Sequence, residues 1–333
     1  MKEALFFDRI SELDIQCSLC PHLCSIGPSM HGQCGVRVNR NGRLISMTYA
    51  RMSVSELIPI ERLPLYHYRP GTKVLLIGTL GCNMRCPFCN TWRISQAGTR
   101  TVFLSPTDLL RLALEKNASG VAFGMNEPVL DIEYIRDAAP LLHKAGLFVV
   151  LGTNGLIQSE PLFELLSHVE ALVVDMKACN DAFYEKVCGG FRQEILNNIV
   201  SINVKLHLEI SCLIIGGKND DESELEKFFL WIAGLKPSPP PLHLLQYTPA
   251  FQYKDPVTDP MRMFYLQEKA RRILPFVYLS NMMEREANIT YCPSCKIPLI
   301  IREGKNISLT NLDGKRCKRC GREIPLHPAS SGP

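Results

Sequence analysis

Gly78-Thr79-Leu80-Gly81-Cys82-Asn83-Met84-Arg85-Cys86-Pro87-Phe88-Cys89 follows directly on the short apolar run Lys73–Ile77. A buried strand ending in a CxxxCxxC loop places three thiols close together. Each thiolate can bind one iron of a cubane cluster. A [4Fe–4S] centre normally takes four cysteines, so the fourth iron is left open to a non-protein ligand. The amino and carboxylate groups of an amino acid can chelate it. The other reading of these three cysteines is a tetrahedral zinc site in need of one more ligand.

Working outward, Gly120–Phe123, Leu147–Leu151, Ala171–Val174, Leu206–Ile215, Leu242–Leu245 and Phe276–Leu279 read as further buried strands. Helical patterns lie between them. Pro106–Lys116 has Ser105 as N-cap and Pro106 at the first helical position. The others are Asp131–Lys144, Glu160–Ser167, Asp181–Val187 with Arg192–Ile202, Asp221–Ala233 and Met261–Leu274. Strands alternating with helices imply a parallel sheet covered by helices. The expectation for residues 71–281 is an α/β fold of six to seven β/α units, closing partly into a barrel. Such folds place reactive groups at the C-terminal ends of their strands.

Composition agrees. The chain has 333 residues, 46% hydrophobic and 21% charged, which excludes wholesale disorder. No apolar run approaches the roughly 18 residues a bilayer span needs. Met1–Asp14 lacks a signal-peptide layout. The expectation is a soluble, cytoplasmic protein without membrane contact. The net charge is +4, and residues 292–333 alone carry eight Lys/Arg against three Asp/Glu. A basic tail can be a nucleic-acid footprint, or solvated loops around a metal site.

Eleven of the fourteen cysteines fall in three clusters. In a reducing compartment such clusters point to metal ligands. In the arm 1–70, Cys17, Cys20, Cys24 and Cys34 supply four thiolates, enough for zinc or for a second iron–sulfur cluster. In the segment 282–333, Cys292-x2-Cys295 and Cys317-x2-Cys320 read as a zinc ribbon. Cys179, Cys188 and Cys212 are left over. Cys212 reads as core, and Cys188 could donate a hydrogen atom. His67, His207 and His243 read as structural.

Four motifs stand at successive strand ends: Cys82–Cys89, Gly124-Met125-Asn126-Glu127-Pro128, Thr153-Asn154-Gly155 and Asp175-Met176-Lys177. Together they resemble the radical S-adenosylmethionine (radical SAM) superfamily, with Phe88 as the aromatic before the last cysteine. The resemblance implies a partial (β/α)6 radical SAM barrel. It implies a [4Fe–4S] cluster on Cys82, Cys86 and Cys89, with SAM bound by Phe88, Gly124, Asn126, Glu127, Thr153, Asn154, Asp175 and Lys177. Asn126 and Glu127 would take the methionine ammonium, Asn154 the ribose and Lys177 the carboxylate. Asp175 would help hold a cation.

Nearly the whole chain resembles the radical SAM member of the AmmeMemoRadiSam system, a relative of pyruvate formate-lyase activating enzymes. The carrying segments include Cys17–Cys24 with Gly32–Arg37, Pro64–His67, Asn90–Gln96, Val174–Ala178 and Cys188–Gly190. Asn90-Thr91-Trp92 replaces the usual Gln-Asn-Trp, Gly216-Gly217 the usual Pro-Gly, and Leu244–Thr248 lacks the Arg and His of relatives. The implied activity is that of an oxidoreductase of the activating-enzyme type. It cleaves SAM reductively to methionine and a 5′-deoxyadenosyl radical that takes hydrogen from a substrate. The substrate would be a glycyl-radical enzyme, a small molecule or a peptide. A ferredoxin or flavodoxin would be the reductant, and AMMECR-type and Memo-type proteins candidate partners. The alternatives are an RNA-modifying radical SAM enzyme and a non-enzymatic electron carrier with a zinc-ribbon docking module.

Overall fold

Every apolar run identified above becomes a strand; most are aliphatic without a polar face and must be covered on both sides, while Leu206–Ile215 carries His207, Glu209 and Ser211 on one face. The computed structural model describes residues 2–282, 288–304 and 306–328. Met1 and the parts of the C-terminal segment at 283–287, 305 and 329–333 lie outside the described residues.

The main sheet has eight strands: β1 (Val54–Pro59), β2 (Lys73–Gly78), β3 (Gly120–Phe123), β4 (Phe148–Thr153), β5 (Ala171–Met176), β6 (His207–Ile214), β7 (Leu242–Gln246) and β8 (Val277–Ser280). Their spatial order follows the chain. From β2 to β8 all neighbours are parallel, one strand more than six β/α units supply. β1 pairs antiparallel with β2, Val54 opposite Gly78 and Pro59 opposite Lys73. The stretch assigned to the arm from sequence therefore contributes the sheet's edge strand. The helices are α1 (Pro106–Glu115), α2 (Ile132–Lys144), α3 (Ser159–Leu166), α4 (Arg192–Lys205), α5 (Glu222–Ala233) and α6 (Pro260–Arg271). Ser105 and Asp221 cap α1 and α5 by accepting from Asp108 N and Glu224 N.

The period-2 alternation of the strands divides two cores. Leu75, Ile77, Val121, Phe123, Val149, Leu151 and Val174 pack with the helices. Leu76, Ala122, Val150 and Val173 pack on the other face against Ile58, Ile60, Leu63 and Leu65. The segment 58–68 thus plugs that face, and Leu63 forms the floor of the cavity described below. In the arm, Ile15, Leu19, Ile26 and Leu44 are fully buried and join the helix-side core.

The tail forms a sheet of Thr290–Tyr291, Pro298–Glu303 and Asn306–Leu309. It docks through Leu299, Ile300, Ile324 and Leu326 onto Tyr66, Phe276 and Tyr278. A buried polar network continues the seam. Glu209 accepts from His67 N at 2.7 Å and contacts His207 at 3.1 Å and His243 at 2.7 Å. His67 Nδ1 donates to Pro325 O at 3.1 Å, and Arg302 Nη2 donates to Tyr66 O at 2.7 Å. The three histidines are structural. Among the described residues no helix is long and apolar enough to cross a membrane.

Candidate active site

The loop after β2 is held at its root by the loop after β3. Asn126 Oδ1 accepts from Thr79 N at 2.8 Å, and its Nδ2 donates to Thr79 Oγ1 at 2.9 Å and Leu80 O at 3.2 Å. Asp131 accepts from Thr48 Oγ1 at 2.6 Å and from Thr79 Oγ1. Gly81 has φ +87°, and a Cβ there would meet Val36 Cγ1 at 2.7 Å and Cys34 O at 3.0 Å. Only glycine lets the arm press this closely on the backbone before Cys82.

Cys82, Cys86 and Cys89 face one cavity of about 270 Å³. Donors surround the sulfurs: Met84 N lies 3.4 Å and Asn154 Nδ2 3.7 Å from Cys82 Sγ. Ser95 Oγ lies 3.2 Å and Thr91 Oγ1 3.4 Å from Cys89 Sγ. Burial pushes the Cys82 thiol up, and the Glu127 charge adds to the effect. Contact with Cys188 and burial raise Cys86. Thiols so placed stay protonated unless a cation replaces the proton, while the donors around them favour thiolate. That donor set fits an iron–sulfur cluster.

The same cavity is lined by Glu127, Thr153, Asn154, Asp175 and Lys177 from the ends of successive strands. Glu127 accepts from Thr153 Oγ1 at 2.7 Å, Asn154 N at 2.8 Å and Val129 N at 3.2 Å. An ionised carboxylate has about four acceptor sites, which leaves one for a ligand. Burial pushes Glu127 up to about 7 despite these donors. Lys177 Nζ donates to Asp175, whose other oxygen accepts from Ser211 Oγ at 3.0 Å. Burial opposes the Lys177 charge, but Asp175 and Cys86 more than offset it and hold the ammonium above its ordinary range.

Phe88 and Asn126 also line the cavity, whereas Gly124 is absent from its wall. Gly124 N donates to Ile77 O at 3.0 Å and continues the sheet. The Asn126 amide is spent on the cysteine loop. Asn154 Nδ2 donates to Asn83 Oδ1 at 2.8 Å, and its Oδ1 accepts from Leu156 N at 2.8 Å, so its side chain also braces that loop. Cys188 touches Cys86 but does not line the cavity, and so is not placed to donate hydrogen to a ligand there.

Several lining residues were not singled out from sequence. Met125, in the turn before Asn126 and Glu127, has φ +73°, a left-handed conformation that glycine adopts freely. Ser211, Leu213, Leu245 and Asn281 complete the wall. Their signal was position alone, near or just beyond the C-terminal end of a parallel strand. Trp92 stacks on Phe251 at 4.9 Å, and Phe88 contacts Tyr253 at 5.6 Å, which ties the loop after β7 over the cysteine loop.

In the tail, the Sγ atoms of Cys292, Cys295, Cys317 and Cys320 all lie within 4.8 Å of one another. Cys292 and Cys320 are 3.5 Å apart, and Cys295 and Cys317 3.6 Å. This group fits a metal ion. In the arm, Cys17, Cys20, Cys24 and Cys34 line a second, small pocket together with Arg37.

Comparison with known proteins agrees with this geometry. A model of the radical SAM superfamily matches residues 76–232. An uncharacterised protein of Methanocaldococcus jannaschii is 31% identical over 337 residues, covering 98% of this chain and 99% of that protein. The pyruvate formate-lyase 1-activating enzyme of Escherichia coli K12 is 27% identical over 153 residues, covering 43% of this chain and 62% of that enzyme. A radical SAM methyltransferase from Sphaerobacter thermophilus superposes with a TM-score of 0.51 at 18% identity, over 64% of this chain and 68% of that one. At that identity the likeness concerns the fold alone. The chain belongs to the radical SAM superfamily and is homologous to the pyruvate formate-lyase activating enzymes.

Proposed function

We propose that Cys82, Cys86 and Cys89 hold a [4Fe–4S] cluster and that the adjoining cavity binds SAM. One observation carries the reading: three thiols, the Glu127 carboxylate and the Asp175–Lys177 pair converge on one cavity at successive strand ends. When bound, the two cofactors supply the one-electron cleavage of SAM to methionine and a 5′-deoxyadenosyl radical that abstracts hydrogen from a substrate. Glu127 presents its remaining lone pair to the methionine ammonium. Lys177 neutralises the carboxylate, with Asp175 holding it in place. Asn126 and Asn154 position the cysteine loop. Leu213, Leu245 and Val173 give the cavity an apolar wall. That wall suits an uncharged C–H donor, and kinship with the activating enzymes supports a glycine of a partner glycyl-radical enzyme, with a ferredoxin- or flavodoxin-class reductant. In the tail quartet we place one structural zinc, since ligands about 2.3 Å from zinc stand about 3.8 Å apart in a tetrahedron.

An electron carrier, the non-enzymatic alternative, has no use for Glu127 and Lys177 in a cavity. The test is product analysis. Anaerobic protein reconstituted with iron and sulfide, then reduced and given SAM, should release methionine and 5′-deoxyadenosine in equal amounts. Cys86→Ala should release neither, and undiminished turnover in that variant overturns the reading.

A further inference from the structure

The arm quartet lies outside the active-site cavity: none of Cys17, Cys20, Cys24 and Cys34 lines it. It is nevertheless built against the cysteine loop. His22, two residues after Cys20, contacts Asn83 O through Nε2 at 2.7 Å. Arg85 donates to the carbonyl of Gln33, the residue before Cys34. The carbonyl of Cys34 sits against Gly81. The arm thus touches the backbone on both sides of Cys82, from behind the cavity.

The quartet's geometry differs from that of a single-ion site. Among the described residues, only the tail cysteines bring three or more such ligand atoms within 4.8 Å of one another. The four arm cysteines form no such close group and instead line one shared pocket. A cubane takes four thiolates that do not converge on a single ion, because each ligates a different iron. Gln33 N points at Cys24 Sγ at 3.4 Å, and further backbone amides reach Cys17, Cys20 and Cys34. Arg37, 1% exposed, lines the same pocket, and its buried Nε has no hydrogen-bond partner in the protein. An orphaned buried N–H beside four thiols is accounted for by an anionic group in the pocket. Cys17 and Cys20 are buried, while Cys24 and Cys34 are half-buried beside exposed Leu23 and Gln33.

We propose that Cys17, Cys20, Cys24 and Cys34 hold a second [4Fe–4S] cluster, seated behind the Cys82–Cys89 loop, that serves as an electron entry port and not as a substrate ligand. The port function rests on the reading of the central site; the second cluster itself does not. One electron from a ferredoxin- or flavodoxin-class donor takes this cluster from its 2+ to its 1+ state. The same electron then passes to the central cluster and restores the 2+ state of the first. No bond or proton changes hands.

The experiment is a metal and spectroscopic inventory of two full-length variants purified anaerobically. A Cys82→Ala/Cys86→Ala/Cys89→Ala variant should keep about four irons and four sulfides per chain. It should also give a reduced-cluster electron paramagnetic resonance signal that SAM leaves unchanged. A Cys20→Ala/Cys24→Ala variant should lose about half of the wild-type iron and keep a SAM-responsive signal. Its central cluster should be reduced at least tenfold more slowly by flavodoxin, but not by dithionite. Iron absent from the first variant, with two zinc ions in its place, overturns the second cluster. Iron absent from the second variant, with the first still loaded, overturns instead the reading of the central site. Equal flavodoxin rates in wild type and the second variant overturn the port. If the triple variant does not fold, the wild type decides: about eight irons and one zinc support the proposal, and about four irons and two zinc ions overturn it.

Discussion

The two ends of the chain each carry four cysteines, and the structure uses them in opposite ways. The tail sulfurs converge until pairs stand 3.5 and 3.6 Å apart on a small sheet with its own satellite core. The arm cysteines form no such close group and line a pocket whose neighbours belong to the main core, with a fully buried arginine among them. Cysteine number alone therefore does not set how a quartet is arranged. What differs is how much buried apolar surface surrounds the thiols. The tail has few buried apolar residues, so an ion held by its four thiols would supply much of its folding energy. The arm is already fixed by Ile15, Leu19, Ile26 and Leu44, and can devote its thiols to chemistry.

The contrast is broken most severely in the tail. Cys295→Ser with Cys317→Ser should remove the ion, whose binding free energy in small zinc modules is about 10–16 kcal/mol and is folding energy. Residues 288–328 should become open to protease while the sheet and the arm stay protected. Cys20→Ala with Cys24→Ala should leave the tail protected. Equal protease sensitivity in the two variants would erase the distinction.

A smaller effect is expected at Arg37. Its Nη2 donates to Glu133 at 2.5 Å and its Nη1 to Leu5 O at 2.8 Å. Arg37→Met should leave Glu133 buried and unpaired, which costs about 3–5 kcal/mol in denaturant unfolding. It should also make the arm cluster harder to reduce, since a positive charge beside it is lost. A loss of stability with an unchanged arm signal would mean that Arg37 serves the fold alone.

The smallest effect belongs to the seam beneath the tail. Burial and the Arg302 charge hold His67 down to about 3, against the Glu209 charge. Burial favours neutral Glu209, but His207 and His243 more than offset it and keep its carboxyl well below the usual range. The unfolded chain therefore binds more protons than the native one, first on the histidine below about pH 6.5 and then on the glutamate below about 4.3. Tail docking should weaken as pH falls through that window and be complete above it. Glu209→Gln, removing charged hydrogen bonds of about 1.5–3 kcal/mol, should weaken docking at pH 8 and flatten the acid branch. Hydrogen exchange of the tail strands against pH checks both.

Much of this was legible from residue spacing. Apart from β6, where His207, Glu209 and Ser211 alternate with apolar residues, the strands β2 to β8 are apolar runs without polar alternation, so their burial on both faces followed from composition. The CxxxCxxC loop and the three other strand-end motifs stood where such sheets react, at their C-terminal ends. The edge strand β1 was not legible. Ser55-Glu56-Leu57 is half exposed, and its pairing with β2 is decided by a partner 14–24 residues away. Nor did spacing say where Asn126 and Asn154 turn their amides. An asparagine at a strand end can face the cavity or the neighbouring loop, and here the donors and acceptors of the Cys82 loop hold both. The wall of Leu213 and Leu245 was hidden for a related reason, since aliphatic residues at a strand end read as core.

The central claim is that SAM binds in the cavity at the Cys82–Cys86–Cys89 centre. Titrating SAM against the reduced protein by electron paramagnetic resonance tests it most directly. Glu127→Ala and Lys177→Ala should each weaken SAM binding about ten- to a hundredfold, the cost of one charged hydrogen bond. Because the ammonium requires ionised Glu127, held near 7 by burial, wild-type affinity should also fall as pH drops below about 7. The spectral change should saturate with SAM in the wild type, shift to higher concentration in both variants, and be lost in Cys86→Ala. A wild-type signal that saturating SAM leaves unchanged would contradict it.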